Sequence, residues 1–72
     1  MSKADEMFEK LGYRDVTIGT ISRCLYANGD KRISFNRNRT FEVYDFYDES
    51  REIDMQELQA INEKVKELGW NE

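Results

Sequence analysis

The chain reads as an α+β domain ordered α-β-β-β-α, a three-stranded antiparallel meander with two helices packed on one face. Three observations predict this. Apolar residues recur at helical spacing near both ends, apolar residues alternate at period two between them, and Asn28-Gly29 and Arg37-Asn38-Arg39 divide the middle as turns. With 72 residues the sequence reads as one domain, 1-72. A chain of this size buries only about 60% of the surface its unfolded form exposes, so its core is small and a deep active-site cleft is not expected.

Ser2 caps the first helix, whose apolar residues Ala4, Met7, Phe8 and Leu11 fall at i, i+3, i+4 and i+7. Asp5 and Glu6 sit in its first turn, where the helix dipole favours anions, and Gly12 supplies a left-handed terminus onto which Tyr13 folds back. At the other end, Asp54 followed by Glu57 is a capping-box pattern. Met55, Leu58, Ile61, Val65 and Leu68 form the stripe of a second helix ending at Gly69 and Trp70. Leu11-Gly12-Tyr13 and Leu68-Gly69-Trp70 are read as one shared stop signal and not as a duplicated domain, because nothing between them repeats at a fixed period.

Val16 and Ile18 alternate, and Ile21 and Leu25 continue on the opposite parity, which predicts a β-bulge at Gly19. Ile33 and Phe35 mark the next strand, Phe41 and Val43 the last. Register follows from requiring apolar residues to share a face. A two-residue Asn28-Gly29 loop sets Ile33 opposite Cys24 and wastes Leu25 and Ile21. A three-residue loop of Asn28, Gly29 and Asp30 sets Ile33 opposite Leu25 and Phe35 opposite Arg23, and is preferred. In the following hairpin Phe41 falls opposite Phe35, Val43 opposite Ile33 and Asp45 opposite Lys31, with a loop at Arg37 to Arg39.

On the other face this register places Arg32 between Tyr26 and Tyr44, with Ser34, Glu42 and Phe46 nearby. A guanidinium stacked between phenol rings contributes about 0.5–1 kcal/mol per exposed contact and needs no ligand, and this structural reading is preferred. The same planar fork of donors suits a base, a phosphate or a partner carboxylate. Arg37 and Arg39 add two guanidiniums near one end of the sheet. The candidate ligand- or partner-binding set is therefore Tyr26, Arg32, Arg37, Arg39, Tyr44 and Phe46.

The net charge of −4 conceals an asymmetry: residues 14 to 39 hold six basic against two acidic residues, and the remainder five against thirteen. Solvated surface is the preferred reading of both. A nucleic-acid binder of this size is usually basic overall, so the acidic remainder opposes a long polyanion and favours a small phosphorylated ligand or an acidic protein patch. The acidic run Asp45, Asp48, Glu49, Glu52 and Asp54 lacks the Gly of a calcium loop and contains Arg51, so it reads as solvated loop and helix cap. Mimicry of nucleic acid by these carboxylates beside Tyr44, Phe46 and Tyr47 is the weaker alternative. A lone Cys24 and the absence of His argue against an internal disulfide and against a Cys/His zinc site. No nucleophile paired with a base, phosphate loop or carboxylate in an apolar context is recognisable, so no enzyme, catalytic residue, metal or cofactor is expected. No apolar run approaches the roughly 18 residues of a spanning helix, and no signal-peptide pattern is present, so a cytoplasmic protein without membrane contact is expected.

Glu6-Met7-Phe8-Glu9-Lys10-Leu11-Gly12-Tyr13, together with Asp54 to Asn62 and Lys66-Glu67-Leu68-Gly69-Trp70, resembles small uncharacterised proteins of phages and prophages of Gram-positive bacteria. The likeness covers the two terminal helices and consists chiefly of cap and core residues, so it implies shared fold before shared activity. It implies an inhibitor or adaptor that binds a host defence or regulatory protein in the cytoplasm of the bacterial host. A small-ligand binder sequestering a phosphorylated signalling nucleotide is the alternative, and weak nucleic-acid binding through the basic central sheet a further one. Unpaired sheet edges and an uncovered aromatic face predict a homodimer through sheet face or edge, or a hetero-complex.

Overall fold

A computed structural model describes residues 2–17, 22–47 and 52–70. The elements are α1 (Lys3–Lys10), β1 (Arg14–Asp15), β2 (Ser22–Asn28), β3 (Lys31–Asn36), β4 (Phe41–Asp45) and α2 (Met55–Glu67). The class is α+β and the expected order of helices and strands holds, with one extra strand in an antiparallel sheet ordered β1-β2-β3-β4. Phe8 of α1 and Ala60 and Ile61 of α2 meet Tyr26, Ile33 and Phe35 in a single core, so both helices cover the same sheet face.

The extra strand corrects the reading of residues 16 to 25 as one bulged strand. Asp15 Oδ1 accepts from the Thr17 amide at 3.0 Å and from its hydroxyl, and Thr17 Oγ1 accepts from the Leu25 amide at 3.0 Å. This Asx-type turn starts a reversal, and the Val16 amide donates to the Leu25 carbonyl at 2.8 Å. The change of apolar parity thus marks two strands facing each other. The bulge expected at Gly19 lies outside the described residues, and the register of β2 with β3 shifts between Ser22 and Cys24.

The β3–β4 register is the predicted one, with Phe41 opposite Phe35, Val43 opposite Ile33 and Asp45 opposite Lys31. The β2–β3 register is not. The loop is Gly29-Asp30, with φ +59 at Gly29 as the first position of a type II′ turn requires, and Asn28 pairs with Lys31. Ile33 therefore faces Tyr26 and Phe35 faces Cys24, so Tyr26 and not Leu25 enters the core. The reason is that Tyr26 brings a large ring and finds a partner for its hydroxyl: the ring stacks on Phe8 at 4.3 Å, and the hydroxyl donates to Asp5 of α1.

The caps are as expected. Ser2 Oγ accepts from the Asp5 amide at 3.1 Å, and Asp54 and Glu57 complete the capping box of α2. Both helices end in the same pair of bonds: Gly12 N to Glu9 O and Tyr13 N to Phe8 O in α1, Gly69 N to Lys66 O and Trp70 N to Val65 O in α2. The buried stripe of α2 is Glu57, Ala60, Ile61 and Lys64, flanked by Leu58, Val65 and Leu68, whereas Met55 is 67% exposed. The helix is turned because two polar side chains find partners beneath it. Glu57 Oε2 accepts from the Tyr13 hydroxyl at 2.7 Å, and Lys64 Nζ lies 3.5 Å from Asp5 and 3.9 Å from Glu67. Glu67 also accepts from the Ala4 amide at 2.8 Å, so a carboxylate of α2 satisfies an orphan donor at the start of α1. Neither helix is long and apolar enough to cross a membrane.

Candidate binding surface

The ladder fixes which side chains share the face turned away from the helices. Partners directly opposite in antiparallel strands lie on one face and neighbours along a strand alternate, so Arg14, Ala27, Arg32 and Tyr44 form one row across all four strands. Val16, Leu25, Ser34 and Glu42 form the next row, and Phe46, level with Asp30 just past the end of β4, lies on the same face beside Tyr44. Ala27 and Ser34 are small and 8% and 5% exposed, so they floor a surface walled by longer groups.

Arg32 is fixed on this face. Its Nη1 donates to the carbonyls of Gly29 at 2.6 Å and Lys31 at 2.9 Å, which the tight hairpin turn brings within reach. Its guanidinium carbon lies 4.8 Å from the centre of the Phe46 ring, and Tyr44 meets Phe46 edge-on at 5.8 Å. Phe46 is 60% exposed, and among the described residues neither Arg14 nor Arg32 forms an ion pair.

The structure thus brings together Arg32, Tyr44 and Phe46 and separates the rest of the expected set. Tyr26 is a core residue on the opposite face, and Ala27 occupies the position beside Arg32 expected for it. Arg37 and Arg39 lie in the β3–β4 turn at the far end of β3, which at about 3.3 Å per residue puts Arg37 roughly 17 Å from Arg32. Arg39 has φ +66, where a non-glycine residue is strained. Arg14, on the edge strand, shares the row of Arg32 by register and also lines a cleft on the helix side, and it was missed in the sequence because its strand was not recognised as separate.

On the helix side a cleft of about 350 Å³ is lined by Asp5, Glu9, Tyr13, Arg14, Asp15 and Tyr26, among others. Its inner polar groups are mutually engaged. Burial pushes the Asp5 carboxyl up, but the Tyr26 hydrogen bond, the Lys64 charge and Ser2 together hold it below its ordinary value. Burial first, and then their carboxylate partners, push the Tyr13 and Tyr26 phenols above theirs. Among the described residues no group of three ligating side chains could hold a metal ion, and Cys24 is half-buried against the core. No protein-family model matches the chain, and neither a curated protein nor a solved structure is significantly similar to it.

Proposed function

We propose that the chain is a non-enzymatic binding domain that takes a protein partner on its open sheet face, with Arg32, Tyr44 and Phe46 as anchors. The observation that carries this is a guanidinium held by two turn carbonyls over an exposed aromatic ring, with no carboxylate in a pair with it among the described residues. Arg and aromatic groups dominate the energetics of protein interfaces, and a side chain already fixed loses less entropy on binding. Arg14, across the small Ala27, adds a second cation, so the complementary partner surface is acidic around an apolar centre. The resemblance of the terminal helices to phage and prophage proteins supports a host defence or regulatory protein in the bacterial cytoplasm as that partner.

A second reading has its own observation. Arg14 and Arg32 flank Ala27 at two strand spacings, about 10 Å, which suits the phosphates of a signalling nucleotide whose base stacks on Phe46. Weak nucleic-acid binding by the same face is opposed by the net charge of −4.

The test compares wild type with the Arg32→Ala/Phe46→Ala double variant. Affinity capture from host lysate is expected to retain one specific protein on wild type and lose it on the variant, with a loss of stability no greater than about 1 kcal/mol in urea. Capture that survives the double substitution rejects the surface. A thermal-shift screen decides the second reading, since a nucleotide at about 100 times its Kd adds about 2.7 kcal/mol to wild type and nothing to the variant.

A further inference from the structure

The outer edge of the sheet is a different surface from its open face and carries an inference that does not depend on the reading above. The Phe46 amide donates to the Asp30 carbonyl at 3.2 Å and the Asn36 amide to the Thr40 carbonyl at 2.8 Å, which fixes the alternation of the β3–β4 ladder. Glu42 and Tyr44 exchange their backbone bonds with β3, and Phe41 and Val43 turn their N–H and C=O groups outward. Among the described residues those outward groups have no partner. An open trough of about 600 Å³ runs beside Phe41, Glu42, Val43 and Tyr44. The opposite edge is the two-residue β1, and short edges are one way proteins avoid strand addition. β4 has five residues and neither Pro nor Lys among them.

We propose that β4 pairs with β4 of a second copy of this chain, antiparallel about a two-fold axis at Val43, to form one continuous eight-stranded sheet. Three features select this occupant and this register. First, a two-fold at Val43 matches all five residues of β4, setting Phe41 opposite the partner's Asp45 and Glu42 opposite the partner's Tyr44. The Glu42 and Tyr44 positions are then the closely spaced, non-hydrogen-bonded pairs, where a carboxylate can accept from a phenol. Second, the neighbouring registers fail. Centring on Glu42 sets two carboxylates directly opposite each other, centring on Phe41 runs each strand into Arg39, whose φ of +66 is not extended, and centring on Tyr44 leaves Phe41 beyond the partner strand's end. Third, the strand is polar in charge: Arg39 precedes β4 and Asp45 closes it. Antiparallel self-pairing lays the basic start of each strand beside the acidic end of the other, which a parallel arrangement does not.

Sedimentation velocity and light scattering from micromolar to millimolar protein test the proposal. A dimer whose fraction rises with concentration and falls with salt and in Arg39→Glu is expected. Val43→Pro removes an N–H that the isolated domain does not use in its sheet, and is expected to give a folded monomer. In a Cys24→Ser background, Val43→Cys is expected to oxidise to a linked dimer, since the paired Cα atoms of that position lie about 5.5 Å apart, within disulfide reach. Glu42→Cys in the same background is expected to link far more slowly. A wild type that stays monomeric throughout overturns the proposal, as does a dimer that survives in folded Val43→Pro. If Val43→Pro does not fold, the cysteine pair decides, and faster linking through position 42 overturns the register. Arg32→Ala/Phe46→Ala should leave the dimer intact, so failure here and failure of the open-face reading are separate results.

Discussion

Replacing Tyr26 with Phe deletes one buried hydroxyl and leaves the packing in place. The ring is 1% exposed and stacks on Phe8 at 4.3 Å, a contact Phe keeps, so what is lost is the hydrogen bond to the Asp5 carboxylate. A hydrogen bond to a charged group contributes about 1.5–3 kcal/mol. Asp5 retains Lys64 at 3.5 Å and its side chain is 30% exposed, so water and the ammonium replace part of the loss, and about 1.5–2 kcal/mol is expected. For a domain of this length that corresponds to a fall in Tm of roughly 6–16 °C. The pH dependence has a definite sign. The folded Asp5 carboxyl titrates below its ordinary value, so its contribution is complete above the unfolded pKa of about 3.9 and is lost as pH falls through the folded one. The folded Tyr26 phenol titrates above its ordinary value, so its contribution is complete below about pH 10 and is lost as pH rises through the folded pKa. The gap between wild type and Tyr26→Phe should be widest around neutrality and narrow in both directions. Urea midpoints of the two proteins at neutral pH and near about pH 3 measure it. Equal midpoints at neutrality, or a gap that does not shrink in acid, would refute this account of how Tyr26 is held.

Two further substitutions probe backbone conformation. Arg39→Gly relieves a left-handed residue that costs about 1–2 kcal/mol, against about 0.5–1 kcal/mol of extra chain entropy, so the urea midpoint should rise by the equivalent of up to about 1.5 kcal/mol. A lower midpoint would show that the turn does not strain Arg39. Gly12→Ala and Gly69→Ala separate strain from crowding at matched helix ends. At Gly12, with φ +92, a Cβ would lie 3.2 Å from Asn28 Nδ2, which donates to the Leu11 carbonyl, whereas at Gly69, with φ +76, it meets open space. Gly12→Ala should cost about 2 kcal/mol and Gly69→Ala about 1, and the reverse order in urea would contradict the packing of β2 on the end of α1.

The helices were legible because their ends carry local chemistry. Ser2, the Asp54–Glu57 box and the two Leu-Gly-aromatic stops act within a few residues of one another, so the sequence alone contains both partners. The β3–β4 register was legible for a similar reason: a three-residue loop at Arg37 to Arg39 brings Phe41 to Phe35 and Val43 to Ile33. The β2–β3 register was not, since the rule that apolar residues define the buried face favoured Leu25 over a tyrosine. Tyr26 is buried because its hydroxyl meets Asp5, 21 residues earlier on another element, and no local pattern announces that meeting. The burial of Glu57 and Lys64 was not legible either, as the partners that hold them, Tyr13 and Asp5, lie on distant segments. The candidate surface inherited the error. Arg32 and Tyr44 were placed correctly through the legible hairpin, while Tyr26 was assigned to the wrong face and Arg14 was overlooked.

The bond from the Ala4 amide to Glu67 spans 63 residues and ties the first turn of one terminal helix to the last turn of the other. At eight residues α1 is too short to persist alone, since isolated helices below about 12–15 residues are marginal in water. Its stability comes from packing on Tyr26 of the sheet and on α2, which follows the rest of the domain in the sequence. A nascent chain that has emerged only as far as β4 has no Ala60 or Ile61 to cover Phe8 and no Glu67 to accept from Ala4. The domain therefore completes its fold only once α2 has been made, and until then its aromatic core lacks the cover of that helix.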